Sequence, residues 1–282
     1  MAEILKGAPA AKALTEKLAI RAEALKEKGI VPALAIVRVG EKPDDLAYER
    51  GAVNRAAKVG VEIRKYILPA DYKTEELLDT IRRINEDPSI HGCLMFRPLK
   101  RKDDEAKACA LLAPEKDVDG ITQGSLACVF TGKGEGFAPC TAQAVMEMLA
   151  FYGYNLTGRR VTVVGRSLVI GRPAAMLLMA ANATVTICHT RTRDLAEECR
   201  RADILVVTAG KAGLIPGDYI SDGQVVIDVG INVDAQGNLC GDVRFDEACE
   251  KASAITPVPG GVGTMTTTVL MQHVIEAAER TL

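Results

Sequence analysis

Tryptophan is absent from the 282-residue chain, and with only 4% aromatic residues intrinsic fluorescence is a poor handle on ligand binding. Histidine is scarce too: His91, His189 and His273 lie too far apart for a metal-ligand cluster to be read from spacing, and no metal is expected. The eight cysteines form no C-x-x-C pair. Scattered thiols of this kind are small buried apolar residues of a reducing compartment, which argues against a disulfide framework. No apolar run reaches membrane-spanning length, and Met1-Ala2-Glu3-Ile4-Leu5-Lys6-Gly7 lacks the basic-then-apolar character of a leader, so a soluble, cytoplasmic protein is expected. A charge excess is missing as well. Net charge of −2 and a pI near 6.0 argue against the sustained basic face that nonspecific binding to nucleic acid or a membrane surface needs.

What the chain does have is alternation, over a length that suits two domains. An amphipathic helix is expected over residues 8–28, carrying Ala11, Leu14, Leu18, Ala22 and Leu25 at helical spacing. A buried strand over 32–40, a helix from Pro43 to about Gly60, then strand, helix, strand and helix over 61–68, 74–85, 92–96 and 104–112 follow. This βα alternation predicts an α/β fold with a parallel sheet covered on both faces. Between Pro114 and Cys140 the periodicity stops and glycines accumulate, as in a functional loop region. A helix over 141–152 leads into strands at 161–165, 184–188, 204–208 and 225–229 with helices at 173–181 and 195–201, a doubly wound order. The last helix is expected over 266–280.

The centre of that second pattern is Arg160-Val161-Thr162-Val163-Val164-Gly165-Arg166-Ser167, followed by Gly171-Arg172-Pro173 at the start of a helical run. Strand, tight turn and helix N-terminus together can hold a phosphate, because the first helical N–H groups are unpaired and carry the positive dipole end. Gly165 and Gly171 are six apart and do not make G-x-G-x-x-G. Taken alone, the stretch fits an ordinary strand-turn-helix as well as a nucleotide site.

Five motifs in order then carry a family resemblance: Pro114-Glu115-Lys116-Asp117-Val118-Asp119-Gly120, Pro139-Cys140-Thr141, Gly165 to Pro173, Asp228-Val229-Gly230-Ile231-Asn232, and Thr256 to Gly263 with Met265-Thr266. The chain resembles the methylenetetrahydrofolate dehydrogenase/cyclohydrolase (FolD-type) family from end to end. The resemblance implies a folate domain over 1–143 and 266–282 and a Rossmann-like NAD(P) domain over 144–265, with a cleft between them, and a homodimer. It implies hydride transfer from methylenetetrahydrofolate to nicotinamide, followed by hydrolysis of the methenyl cation to formyltetrahydrofolate. The positions it singles out are Tyr48, Asp119, Pro257, Gly260 and Gly261 for folate, and Gly165, Arg166, Ser167, Gly171, Thr190, Arg191 and Ile231 for the cofactor. An aspartate such as Asp119 can accept paired hydrogen bonds from the amino-pyrimidine edge of a pterin, or simply cap a turn before Gly120.

Besides Thr264, which stands where the family's motif has proline, three departures stand out. The family's catalytic lysine follows the tyrosine in Y-x-x-x-K, and Tyr48-Glu49-Arg50-Gly51-Ala52 has alanine there; the family's Q-L-P-L-P becomes Phe96-Arg97-Pro98-Leu99-Lys100, and Asp45 stands where relatives tend to have serine. Arg55 shares a helix face with Tyr48 and Ala52 but cannot serve as a base near neutral pH, and Lys58 points elsewhere. Hydride loss needs positioning but no obligatory base. Hydrolysis needs protons to move, where a positioned base contributes ~10²–10⁴-fold. Dehydrogenase activity is therefore expected, with weak or absent cyclohydrolase. A silent folate- or nucleotide-binding homologue, a fully bifunctional enzyme using another group, and a two-domain dehydrogenase of the shikimate type remain open alternatives. Cys188-His189-Thr190-Arg191 ends the second Rossmann strand without an acidic residue, which favours NADP over NAD.

Overall fold

The computed structural model describes residues 2–282. The chain begins with β1 (Glu3–Ile4) and α1 (Gly7–Glu27), then runs β2 (Ala33–Val39), α2 (Pro43–Val59), β3 (Glu62–Leu68), α3 (Thr74–Glu86), β4 (Gly92–Met95), α4 (Lys102–Leu111) and α5 (Gln123–Thr131). It continues through α6 (Cys140–Phe151), β5 (Arg160–Val164), α7 (Gly171–Ala180), β6 (Thr184–Cys188), α8 (Leu195–Arg200), β7 (Ile204–Val207) and β8 (Val225–Asp228). A hairpin of β9 (Asn232–Val233) and β10 (Leu239–Cys240), then α9 (Phe245–Cys249), β11 (Ala254–Ile255) and α10 (Thr266–Glu279) complete it. Two compact units result: Lys12–Cys140 with Thr267–Leu282, and the segment ending at Ala11 with Thr141–Thr266.

The first unit has a three-stranded parallel sheet in the order β3-β2-β4. Its central strand is apolar from Ala33 to Val37, each at most 1% exposed, as a strand covered on both faces must be. Ala35 and Val37 join Leu77, Ile81 and Ile84 of α3 in one core cluster. The other face meets α2, whose Glu49, Ala52, Ala56 and Val59 are buried at the spacing of one helix face. Pro43 starts α2 where its missing N–H is harmless, and Gly60, at φ 89°, ends it in the left-handed region. The expected loop over 114–140 contains α5, a nine-residue helix capped by Thr122, whose hydroxyl accepts from Ser125 N at 3.0 Å. Its short apolar run between glycines carries too little periodicity to be read as a helix in advance.

The second unit has six parallel strands in the order β1-β11-β8-β7-β5-β6. Strand order reverses around β5, which lies between β6 and β7, so the switch point of this doubly wound sheet lies at the carboxyl ends of β5 and β7. The expected folate domain spans 1–143, yet Glu3 and Ile4 of β1 pair with Ala254 and Ile255 of β11 and extend the second sheet. A two-residue strand has no periodicity of its own, and only its partner identifies it.

Candidate functional site

In the first unit, α2 carries Tyr48 and Ala52 one turn apart, and the chain leaving β4 brings Phe96 against Tyr48. The Phe96 ring meets Tyr48 edge to face, with centroids 5.9 Å apart and planes at 84°. Ala52, one turn after Tyr48, is fully buried, and Phe96 is 9% exposed. Phe96 also lines a cavity of about 300 Å³ with Val39, Pro98, Leu99 and Asp45, at the carboxyl ends of β2 and β4. Two lysines, Lys42 and Lys100, line it too; the Lys42 ammonium donates to Pro98 O at 2.7 Å. Arg55 does not turn toward this group: its Nη1 donates to Thr15 Oγ1 of α1 at 2.8 Å.

The motif around Asp119 divides its labour. Asp117 is fully buried and accepts from Ile121 N at 3.0 Å and Thr122 N at 2.7 Å, so it is the carboxylate that stitches the turn. Gly120, at φ 66°, sits where a Cβ would lie 2.4 Å from Pro139 N, so only glycine fits. Asp119 is left for other work. Burial pushes its carboxyl up to about 6; Asp117 adds to the rise, and the Cys140 thiol and Arg97 oppose it. The same Cys140 thiol donates to Val118 O at 3.3 Å, and burial holds it well above the usual thiol range.

Behind Tyr48 lies a network that the sequence reading missed. Arg38 Nε donates to Glu49 Oε2 at 2.7 Å with both side chains under 10% exposed, and Lys65 Nζ reaches Glu49 Oε1 at 2.7 Å. Burial pushes the Glu49 carboxyl up, but Lys65 and Arg38 outweigh it and hold the group below its ordinary value. Arg38 also donates to Gly40 O, on the cavity rim. The available signal was one arginine inside an otherwise apolar strand, which requires a buried partner.

In the second unit, Gly165 follows β5 at φ 128°, where a Cβ would stand 2.3 Å from Thr208 Oγ1. Gly171 opens α7 so close to the same turn that its Cβ would lie 2.3 Å from Gly165 O. These two glycines seat the helix against the switch point. Ser167 Oγ accepts from Ile170 N at 3.1 Å and so tightens the turn. Gly165 N donates to Cys188 O at 2.9 Å, so Arg166 and Ser167 leave the sheet beside His189, Thr190 and Arg191. Arg166, Ser167, Thr190 and Arg191 are exposed, which suits an anion carried at the edge of the crevice. A second cavity, of about 180 Å³, collects Ile231, Pro257, Gly260 and Gly261 above Asp228. Burial raises the Asp228 carboxyl to about 6 against the pull of the Val243, Asp242 and Gly230 amides. Asp242, also unforeseen, binds Ala209 N, Gly210 N and Lys211 N at 2.6 to 2.9 Å and fixes the loop after β7. Among the described residues, no cluster of three or more His, Cys, Asp or Glu is placed to hold a metal, and no helix is long and apolar enough to cross a membrane.

A doubly wound unit with an anion-compatible turn at its switch point, joined in one chain to a second α/β unit, defines a two-domain nucleotide-dependent enzyme class. Residues 5–119 match the tetrahydrofolate dehydrogenase/cyclohydrolase catalytic domain, and residues 139–282 match the NAD(P)-binding domain of the same family. The chain is 50% identical over 281 residues to a "Bifunctional protein FolD" from Carboxydothermus hydrogenoformans, covering 99% of this chain and 98% of that one. It is 48% identical over 277 residues to the protein of the same name from Alkaliphilus oremlandii, covering 98% and 97%. A FolD crystal structure from Campylobacter jejuni superposes with a TM-score of 0.95 at 35% identity, covering 100% of both chains. This chain belongs to the tetrahydrofolate dehydrogenase/cyclohydrolase family.

Proposed function

We propose that this chain is a methylenetetrahydrofolate dehydrogenase that prefers NADP and hydrolyses the methenyl product weakly or not at all. The observation that carries the second half is the fully buried Ala52, one turn along α2 from the Tyr48 ring that Phe96 meets edge to face. That helix position offers no amine. Oxidation removes a hydride from the methylene carbon and leaves a cation delocalised over two folate nitrogens, a step that depends on orientation. Hydrolysis adds water to that carbon and must release a proton, a step that a positioned base accelerates.

Tyr48 would pack against the pterin or the aminobenzoyl ring, and Asp119 would accept from the pterin's amino-pyrimidine edge. The nicotinamide cofactor, when bound, supplies the hydride acceptor. Gly165, Ser167 and Gly171 would let the backbone approach it, and Ile231 would line its site beside Pro257, Gly260 and Gly261. Arg166, Thr190 and Arg191 would surround a 2′-phosphate, with no acidic side chain over Cys188–Arg191 to favour a free ribose hydroxyl. The Trypanosoma brucei enzyme of this family, described as complexed with NADP and an inhibitor, superposes with a TM-score of 0.91 at 35% identity over 99% of this chain and supports the cofactor choice. A homodimer in the cytoplasm completes the reading.

The names of the relatives favour a second reading, in which the enzyme is fully bifunctional through another group. One assay separates the two. Reduced-nicotinamide absorbance on adding methylenetetrahydrofolate and NADP reports the oxidation, and loss of methenyl absorbance above the spontaneous rate reports hydrolysis. The proposal expects the first without the second. Hydrolysis at the rate of a lysine-containing relative refutes it, and absence of both points to a silent binder.

A further inference from the structure

The cavity beside Phe96 holds a carboxylate that the chemistry above does not use. Asp45 lies in the first turn of α2, three residues before Tyr48 and seven before Ala52, so the three share one helix face. Its side chain makes no ion pair or hydrogen bond with the described residues. It is half-buried, and Phe96, which touches Tyr48, walls the same cavity. A carboxylate, a tyrosine in contact with Phe96 and a buried alanine thus follow one another along one helix face. The other charges on the rim, Glu41, Lys42 and Lys100, are exposed, and water and salt screen their fields more than that of half-buried Asp45.

The substrate of the proposed oxidation is neutral at its reacting carbon and the product is a cation. Where the family's lysine would place an ammonium, this chain has Ala52, and it adds an anion at Asp45 on the same helix face. Both changes lower the cost of positive charge next to Tyr48. We infer that Asp45 is an electrostatic determinant of this site: its carboxylate stabilises the cation that develops as hydride leaves, and makes the site prefer methenyl folate over neutral reduced folates. This rests on the dehydrogenase reading. It also gives the loss of the amine a direction, since a site that favours the cation favours oxidation and resists the attack of water that would discharge it.

A first-turn aspartate also complements the helix dipole, a role that Asp44 fills equally well from its exposed position. The test must therefore read the charge of the ligand and not the fold. Dissociation constants for methenyltetrahydrofolate and for tetrahydrofolate are measured on cofactor-free protein, by stopped-flow absorbance of the methenyl chromophore and by calorimetry respectively. Four proteins are compared: wild type, Asp45→Asn, Asp45→Glu and Asp44→Asn. An opposite charge a few ångströms away shifts such an equilibrium by at least about tenfold. Asp45→Asn is therefore expected to weaken methenyl binding about tenfold and tetrahydrofolate binding less than about twofold, while Asp45→Glu keeps most of the preference and Asp44→Asn changes neither. Equal weakening of both ligands, or of neither, overturns the assignment and leaves Asp45 as a helix-start residue. Failure of the wild-type protein to bind either folate overturns the dehydrogenase reading together with it.

Discussion

The proposed absence of a catalytic amine is tested by placing a lysine at position 52, and the burial of that position sets the cost of the substitution. Ala52 has no exposed surface, so Ala52→Lys drives three methylenes and an ammonium into a closed interior on the helix face of Tyr48. Overpacking of this kind costs ~1–3 kcal/mol, and burying an ammonium adds a desolvation cost. Phe96→Gln alone gives up an edge-to-face contact of ~0.5–1.5 kcal/mol together with some apolar burial. Combined, the two substitutions relieve each other: the smaller amide leaves room, and its oxygen can accept from the ammonium. The double variant should thus be more stable than the sum of the single losses predicts, by ~1 kcal/mol or more, as urea denaturation would measure. Its methenyl hydrolysis should rise at least about 10²-fold over wild type, the lower end of what a positioned base contributes, while neither single variant gains it. Strictly additive stabilities with unchanged hydrolysis would refute the reasoning, because position 52 and position 96 would then not form one unit.

The buried pair of Arg38 and Glu49 should behave as a coupled element: Glu49→Ala leaves a guanidinium under 10% exposed without its carboxylate and should cost about 3 kcal/mol, the low end because half-exposed Lys65 admits water on one side. Arg38→Met combined with Glu49→Leu should recover most of that loss in urea titrations. For Asp119 the sign follows from its raised carboxyl, which is protonated below about 6 and then no longer accepts on both oxygens. Tetrahydrofolate affinity should be flat above that pH and fall about tenfold per unit below it, and Asp119→Asn should flatten the profile; calorimetry from pH 5 to 8 checks this. Arg191→Ala should weaken NADP by about tenfold, an exposed charge-assisted contact, and leave NAD unchanged, again by calorimetry.

Local pattern made much of this molecule legible. The run Ala33 to Val39, the helix from Pro43 to about Gly60, and the turn from Gly165 to Gly171 each depend on neighbours within a few residues, and their elements lie close to where periodicity places them. Chemistry written into single positions was equally plain, since the absence of an amine at position 52 needs no coordinates. Other features depend on residues far apart in the chain. The pairing of Glu3 with Ala254, the split of duties between Asp117 and Asp119, the turn of Arg55 onto Thr15 and the salt-bridged Arg38, Glu49 and Lys65 all depend on which elements meet. Backbone periodicity constrains a side chain's direction but not its partner, so the amino-acid order determined the elements and the alanine at position 52, whereas only packing could decide which charges were neutralised and which, like Asp45, were left facing a cavity.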